Sequence, residues 1–434
     1  MTSTFEDCIK RLREAAAIAN TNAKLVEELC NGGQITELNF PAMTLQGKEY
    51  FEAVRIHQID THEPGQPHPA KGGWRYAEYE TKEEMIDVTQ TLTMDMADKI
   101  ALTGLPFKGA KGCLNLNTSK RTTDELWSIT NALTLELLVH NLLDADIDVP
   151  GPDYGTNAEI MKWMYRFYGK LNTILHRPNA AAVVTGKPID FDGCPGREDA
   201  TARGGLIVYN QLVKTKNVPK VALQGFGNVG VNCFNLLTNK DFDYASGIIV
   251  AVSDVGSGLY NPNGLSTEKL FNYYQTNKTF EACKLGDAIT PEQIVTETES
   301  DLFITAAREK LIHKNNAALI KTKRILELGN SAITYDADKI LEDRGILVIP
   351  DVIANPGGVI ASGCEWRKNR GDVPHEVDEA DVRNDVYKTI DKILTRCVKK
   401  VLETKDQYGI STLRLAAKVR VLKEIERMVK RRDA

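Results

Sequence analysis

The sequence predicts an α/β fold in two domains, the second built on a doubly wound parallel sheet. Three observations carry that expectation. The chain has 434 residues, too many for one small core and enough for two or three domains of roughly 150 residues each. From about residue 186 onward, short apolar runs alternate with helical stretches, the rhythm of parallel strands joined by crossover helices. One of those runs leads directly into Gly225-Phe226-Gly227-Asn228-Val229-Gly230, a glycine turn set between a strand and a helix.

The elements follow in order. Residues 1–30 carry apolar side chains at helical spacing (Ile9, Leu12, Ala16, Ile18, Leu25, Leu29), and residues 48–59 alternate like a strand. Residues 60–71 hold three prolines and a glycine and read as a loop. Glu83–Lys99, Thr123–Leu143 and Asn157–Tyr168 read as helices. Val221–Gln224, Ile248–Ser253, Asp301–Thr305, Arg324–Leu328 and Gly345–Pro350 are short strands of the second sheet. The tail from Val377 is helical again, with Ser411 as the expected N-cap of its last helix and Lys430-Arg431-Arg432 at that helix's negative end. The expected domains are 1–185, with the helices of about 366–434 packing back on it, and 186–365.

Composition narrows the function. Hydrophobic residues at 42% and charged residues at 26% are ordinary for a globular protein, and the net charge is −5. That balance excludes nucleic acid and anionic membrane as the main partners. No apolar run is long enough to span a bilayer, and the acidic N-terminus resembles neither a secretory signal nor a transit peptide. The eight cysteines show no ligand spacing, so neither structural zinc nor a disulfide framework is expected, and the reading is a cytoplasmic protein with reduced thiols. His57, His62 and His68 with Glu63 lack a ligand spacing too. They read as a flexible loop, and no metal is expected.

Gly225, Gly227 and Gly230 form the GxGxxG of a dinucleotide site. The first permits the tight turn, the second lets a pyrophosphate approach the backbone, and the third lets helix and strand pack closely. Phe226, Asn228 and Val229 complete the turn, and the phosphates would sit at a helix N-terminus. Asp254 ends the next strand, at the place of the acid that takes the ribose 2′-OH, which favours NAD while leaving NADP open. Upstream, Lys71-Gly72-Gly73-Trp74-Arg75-Tyr76, Lys99 and Pro106-Phe107-Lys108-Gly109-Ala110-Lys111-Gly112-Cys113 place lysines among glycines, where a substrate can reach both the ammonium and the backbone.

KGGWRY, LPFKGAKG, DVPGPDYGT, TGKP, QGFGNVG, VSD, PDVIANPGGV and SGCEW occur in that order over residues 71–366. Together they resemble the glutamate, leucine, phenylalanine and valine dehydrogenase family. The resemblance implies a substrate-binding and oligomerisation domain followed by a Rossmann-like domain. It implies Lys111 and Asp153 as catalytic residues, and Lys99 as the partner of the substrate α-carboxylate. Lys71 and Ser362 would read a distal carboxylate, with Gly73 and Val359 lining the same pocket. Thr201, Asn330 and Asn355 would line the nicotinamide site. The implied reaction is reversible oxidative deamination of glutamate to 2-oxoglutarate and ammonium with NAD(P), in a homo-hexamer. An amine base must work far below a free lysine's ordinary range near ~10.4, which burial and neighbouring cations bring about.

Lys108 and Cys113 stand where the family has glycines, Ala202 replaces a glycine in ATARG, and Ser331-Ala332 and Pro356 are off-pattern. A branched-chain or aromatic amino-acid dehydrogenase, or a cofactor-binding regulatory paralogue, are the competing readings. Lys71 and Ser362 weigh against the first, and the pair Lys111 and Asp153 against the second.

Overall fold

A computed structural model describes residues 3–61, 68–214, 217–239, 242, 244–307, 309–372 and 378–433. Its contacts divide into two compact units: residues 1–197, 359–387 and 421–434 form the first, and 198–358 with 388–420 form the second. The contacts change unit after Arg197, and residues 388–420 go with the second unit.

The first unit opens with α1 (Thr4–Ala19) and α2 (Ala23–Cys30), in the stretch where apolar residues fall at helical spacing. Asn20 takes the left-handed conformation at φ 50°, and Asn22 caps the second helix through Lys24 and Leu25 N–H. Strands β1 (Gln34–Thr44), β2 (Gly47–His57), β3 (Ala70–Ala77), β4 (Lys108–Asn115) and β5 (Asp148–Pro152) form a mixed sheet in the order β1-β2-β4-β3-β5. Helix α3 (Lys82–Thr103) precedes β4, while α4 (Thr123–Val139) and α5 (Ala158–Leu175) flank β5 in sequence. The faces separate by the period of two. Phe51, Ala53, Trp74, Tyr76 and Leu114 pack with Ile129, Leu133, Met161 and Met164 of α4 and α5. Val54, Ile56 and Cys113 pack with Met85 of α3 on the other face. By the same alternation Lys71, Gly73, Arg75 and Lys111 belong to the α3 side. The lysine motifs therefore lie in strands, not in loops as the glycines suggested.

In the second unit α6 (Ala200–Leu212) leads to β6 (Lys220–Gln224), α7 (Asn228–Thr238), β7 (Ile248–Ser253), β8 (Gly258–Tyr260), α8 (Thr267–Asn277), β9 (Asp287–Ile289), α9 (Pro291–Thr296), β10 (Glu299–Ser300) and β11 (Leu302–Thr305). Then come β12 (Lys321–Thr322), β13 (Arg324–Glu327), α10 (Tyr335–Asp343), β14 (Leu347–Ile349) and α11 (Asp351–Ala354). The main sheet runs β14-β13-β11-β6-β7-β8-β9. Its first five strands are parallel, as expected, and β8 and β9 extend it antiparallel beyond β7. Three-residue strands show too little alternation to be read from sequence. The chain ends with α12 (Gly357–Asn369), α13 (Glu379–Tyr408) and α14 (Leu413–Arg432). Thr412, not Ser411, accepts from the Leu415 N–H at the start of α14, and the Ser411 hydroxyl instead donates to Glu342. Among the described residues no helix is long and apolar enough to cross a membrane.

Candidate active site

In the first unit the pairing of β3 with both β4 and β5 assembles the site. Lys71 lies opposite Gly109 and Val149, and Gly73 opposite Gly151. This close approach depends on glycine. A Cβ on Gly72 would stand 1.5 Å from the Ala110 carbonyl, and one on Gly73 would stand 2.7 Å from the Pro152 carbonyl and 2.9 Å from Asp153 Cβ. A Cβ on Gly112 would enter the Trp74 ring. Lys71, Lys99 and Lys111 are only 3%, 5% and 4% exposed, so three lysines sit where ordinary surface lysines do not.

Lys111 forms an ion pair with Asp153. The turn after β5 fixes that carboxylate: Tyr154 N–H donates to it at 2.5 Å, Arg75 Nε at 3.4 Å, and Asp153's own N–H donates to Thr156 Oγ1 at 2.7 Å. Burial alone would raise the Asp153 carboxyl, but Lys111 and Arg75 outweigh it and hold it well below the usual carboxylate range. Within KGGWRY the sequence alone gives Arg75 no role; the strand register places it opposite Cys113.

Lys71 is different. Its ammonium makes no hydrogen bond or ion pair with another described residue. Burial, then the guanidinium groups of Arg197 and Arg55, push it down to about 7. Arg197 Nε donates to Ser362 Oγ at 3.4 Å, so Lys71, Arg197 and Ser362 share one cationic patch, with Val359 one turn earlier on α12. Arg197 was missed in the sequence; a lone arginine in CPGRED carries no spacing signal. Behind the patch, Asp148 takes Arg55 Nε at 2.8 Å and His57 Nε2 at 2.6 Å, and Arg55 also donates to the Gly72 carbonyl at 3.2 Å. Lys187 and Glu365 form a fully buried pair at 2.9 Å, with Gly186 N–H also donating to that carboxylate, which explains the TGKP and SGCEW motifs. Lys99 sits in α3, where a Cβ on Gly109 would meet Ala97, so helix and strand touch beside it. The off-pattern Lys108 begins β4 and stands 3.8 Å from Asp60 rather than crowding Lys111. His62 and Glu63 lie outside the described residues, among which no group of three or more metal-ligating side chains occurs.

In the second unit the glycine turn follows β6. Gly225 has φ +92°, and its Cβ would stand 2.4 Å from the Ala306 carbonyl; a Cβ on Gly230 would stand 1.9 Å from the Gly225 carbonyl. Around Gly227 there is nothing within 4 Å, so the space beside it is open. Helix α7 starts after it with no side-chain cap, which leaves the N–H groups of Asn228, Val229 and Gly230 for an anion. These residues fit a dinucleotide pyrophosphate. Phe226 contributes its backbone alone, because its ring is buried against Phe234, Tyr274 and Phe280.

Asp254, the acid expected to take the ribose, also holds the loop that follows β7. Its carboxylate accepts from Gly256 N–H at 2.8 Å, Ser257 N–H at 2.7 Å, Ser257 Oγ at 3.0 Å and Phe280 N–H at 2.8 Å. Those bonds outweigh its partial burial and hold the group below its ordinary value. In the same unit, Asn355 Nδ2 donates to Asn330 Oδ1 at 3.0 Å and to the Leu328 carbonyl at 3.1 Å, while its Oδ1 is buried and unpartnered. A Cβ on Gly358 would lie 2.7 Å from Thr201 Oγ1. The oriented, unsatisfied Asn355 oxygen suits an amide N–H donor.

The comparisons with known proteins bear on both units. The family model described as Glu/Leu/Phe/Val dehydrogenase, dimerisation domain, matches residues 33–170, and the model described as Glutamate/Leucine/Phenylalanine/Valine dehydrogenase matches residues 193–432. The chain belongs to this dehydrogenase family. Within it, the chain is 32% identical to the glutamate dehydrogenase of Thermotoga maritima over 99% of this chain and 98% of that one. It is 35% identical to the NADP-specific glutamate dehydrogenase of Saccharolobus shibatae over 70% of this chain and 69% of that one. The fold resembles that of hetero-hexameric glutamate dehydrogenase from Thermus thermophilus in its leucine-bound form, with a TM-score of 0.86, 25% identity and coverage of 99% and 97% of the two chains. The family's two-domain α/β architecture is the one described above, and its members use NAD or NADP.

Proposed function

We propose that this family member is a glutamate dehydrogenase, a cytoplasmic homo-hexamer that interconverts L-glutamate with 2-oxoglutarate and ammonium. The observation that carries the reading is Lys71. An ammonium buried without a hydrogen-bonding partner, beside Arg197 and Ser362, is costly unless a ligand carboxylate completes it. An apolar side chain would leave that charge uncompensated, which argues against leucine, phenylalanine or valine as substrate.

The roles follow from the chemistry. Lys99 takes the α-carboxylate, and Lys71, Arg197 and Ser362 take the distal one, so the amino acid is held at both ends with Cα between. Bound NAD or NADP supplies the hydride acceptor. Asp153, ionised in its pair with Lys111, receives a proton from the α-amino group as the imine forms. Lys111, once it has released the proton of that pair to solvent, takes a proton from water as that water adds to the imine carbon; Asp153 returns its proton to the amine, which leaves as ammonium with the carbinolamine's hydroxyl proton. Reductive amination runs these proton transfers backward.

Loss of reduced-nicotinamide absorbance with 2-oxoglutarate and ammonium tests the proposal, with 2-oxoisocaproate and phenylpyruvate as competitors. Faster turnover of either competitor would reject glutamate as substrate. No turnover with any oxo acid would favour a regulatory role. Repeating the assay with both reduced dinucleotides reads cofactor preference, and sedimentation velocity reads the assembly.

A further inference from the structure

We propose that Cys194 and Cys364 are a redox-sensitive thiol pair, joined by mild oxidation into a disulfide that straps the substrate pocket of the first unit. The segment 192–197 lies antiparallel along α12. Asn369 Nδ2 donates to the Asp192 carbonyl at 3.0 Å, Lys368 Nζ to the Gly193 carbonyl at 3.1 Å, and Arg197 Nε to Ser362 Oγ at 3.4 Å. Cys194 follows Gly193, and Cys364 lies one helical turn before Lys368, on the same side of the helix. The Lys368 bond thus holds Gly193, the neighbour of Cys194, against the side of α12 that carries Cys364, and the Cys364 sulfur is close enough to act on the Cys194 thiol.

The two thiols differ in character. Cys194 is buried, and burial, then the Glu365 carboxylate and the Cys364 sulfur, push it up to about 12. Cys364 is partly exposed, so an oxidant can reach it, and Arg367 Nη2 donates to its sulfur at 3.8 Å. With a peroxide as oxidant, the Cys364 thiolate attacks one peroxide oxygen, breaking the O–O bond and releasing hydroxide, which is protonated to water. The resulting sulfenic acid then reacts with the Cys194 thiol, whose proton leaves with the sulfenic hydroxyl as a second water while the S–S bond forms. Two thiols lose two electrons, and one peroxide becomes two waters. Neither cysteine belongs to the proposed catalytic machinery, but each is three residues or fewer from Arg197 or Ser362. Under the function proposed above, the strap displaces that pair and weakens capture of the distal carboxylate.

The test treats the full-length protein with hydrogen peroxide and maps disulfides by mass spectrometry under non-reducing conditions, beside kinetics before and after dithiothreitol. The expected result is a peptide linking Cys194 to Cys364, a several-fold rise in KM for 2-oxoglutarate, and recovery on reduction. Both effects should vanish in Cys364→Ser and Cys194→Ser and persist in Cys30→Ser, which removes the other partly exposed thiol. A link between other cysteines, no link at all once Cys364 is oxidised, or equal inactivation of Cys364→Ser would overturn the proposal. Because the mapped bond is read independently of turnover, a link in a protein inert toward every oxo acid would sink the proposed function and leave the thiol pair standing.

Discussion

In the proposed function, recognition of the distal carboxylate falls chiefly on Lys71. Its depressed value, about 7, makes two predictions with opposite consequences for function and stability. Lys71→Leu should lower kcat/KM for glutamate at least about a hundredfold, on the order of 3 kcal/mol, because a charged hydrogen bond to the distal carboxylate is lost. The same change should raise the thermal midpoint of the ligand-free protein, more at pH 6 than at pH 9. The unfolded lysine keeps its proton up to its ordinary value of 10.5, while the folded one gives it up near 7, so stability rises with pH across that window and the full cost of the buried charge stands below it. A thermal midpoint unchanged at both pH values would show that the ammonium is solvated. Asp153→Asn is expected to cut kcat by about a hundredfold to ten-thousandfold with little change in 2-oxoglutarate affinity, measured by inhibition and by thermal shift. The motifs that carry the family resemblance point to Lys71, Lys111 and Asp153. They do not point to Arg197, since its role arises from a segment laid against α12 that no local pattern encodes.

Among the elements, the turn between β6 and α7 separates folding from binding within a few residues. Gly230→Ala is expected to lower stability sharply, since its methyl would strike the Gly225 carbonyl. Gly227→Ala meets no protein atom, so the thermal midpoint should hold while affinity for reduced dinucleotide, followed by fluorescence titration, falls. Equal affinity in Gly227→Ala would mean that the pyrophosphate lies elsewhere. The sequence revealed this turn because strand, glycines and helix are contiguous. It concealed the strand character of β4, where Lys-Gly-Ala-Lys-Gly reads as a flexible loop. Glycine erases the alternation that marks a strand, yet here it is what lets β3, β4 and the Trp74 ring come close.

At the scale of the whole chain, order in sequence and membership in a unit part company. The second unit is completed by residues 388–420, and Arg414 from that stretch meets Glu327 at 2.6 Å, Asp338 at 2.9 Å and Asp351 at 3.5 Å. Arg414→Ala would leave three carboxylates without their shared cation, with a cost of about 3–5 kcal/mol expected in denaturant unfolding. This dependence was invisible in the sequence, because the helical periodicity of the tail reports an amphipathic face without saying what that face meets. The net charge of −5 is equally uninformative about the first unit, where the buried lysines gather.

Asp254 has a consequence for anyone redesigning the coenzyme preference of this enzyme. Its carboxylate is a staple for the loop that follows β7, tied to Gly256, Ser257 and Phe280. Replacing it to admit a 2′-phosphate, the first change a designer would try, should unpin that loop and cost thermal stability without reversing the ratio of activities with the two dinucleotides. A library aimed at coenzyme selectivity would do better to keep Asp254 fixed and vary the fully exposed Val255 beside it.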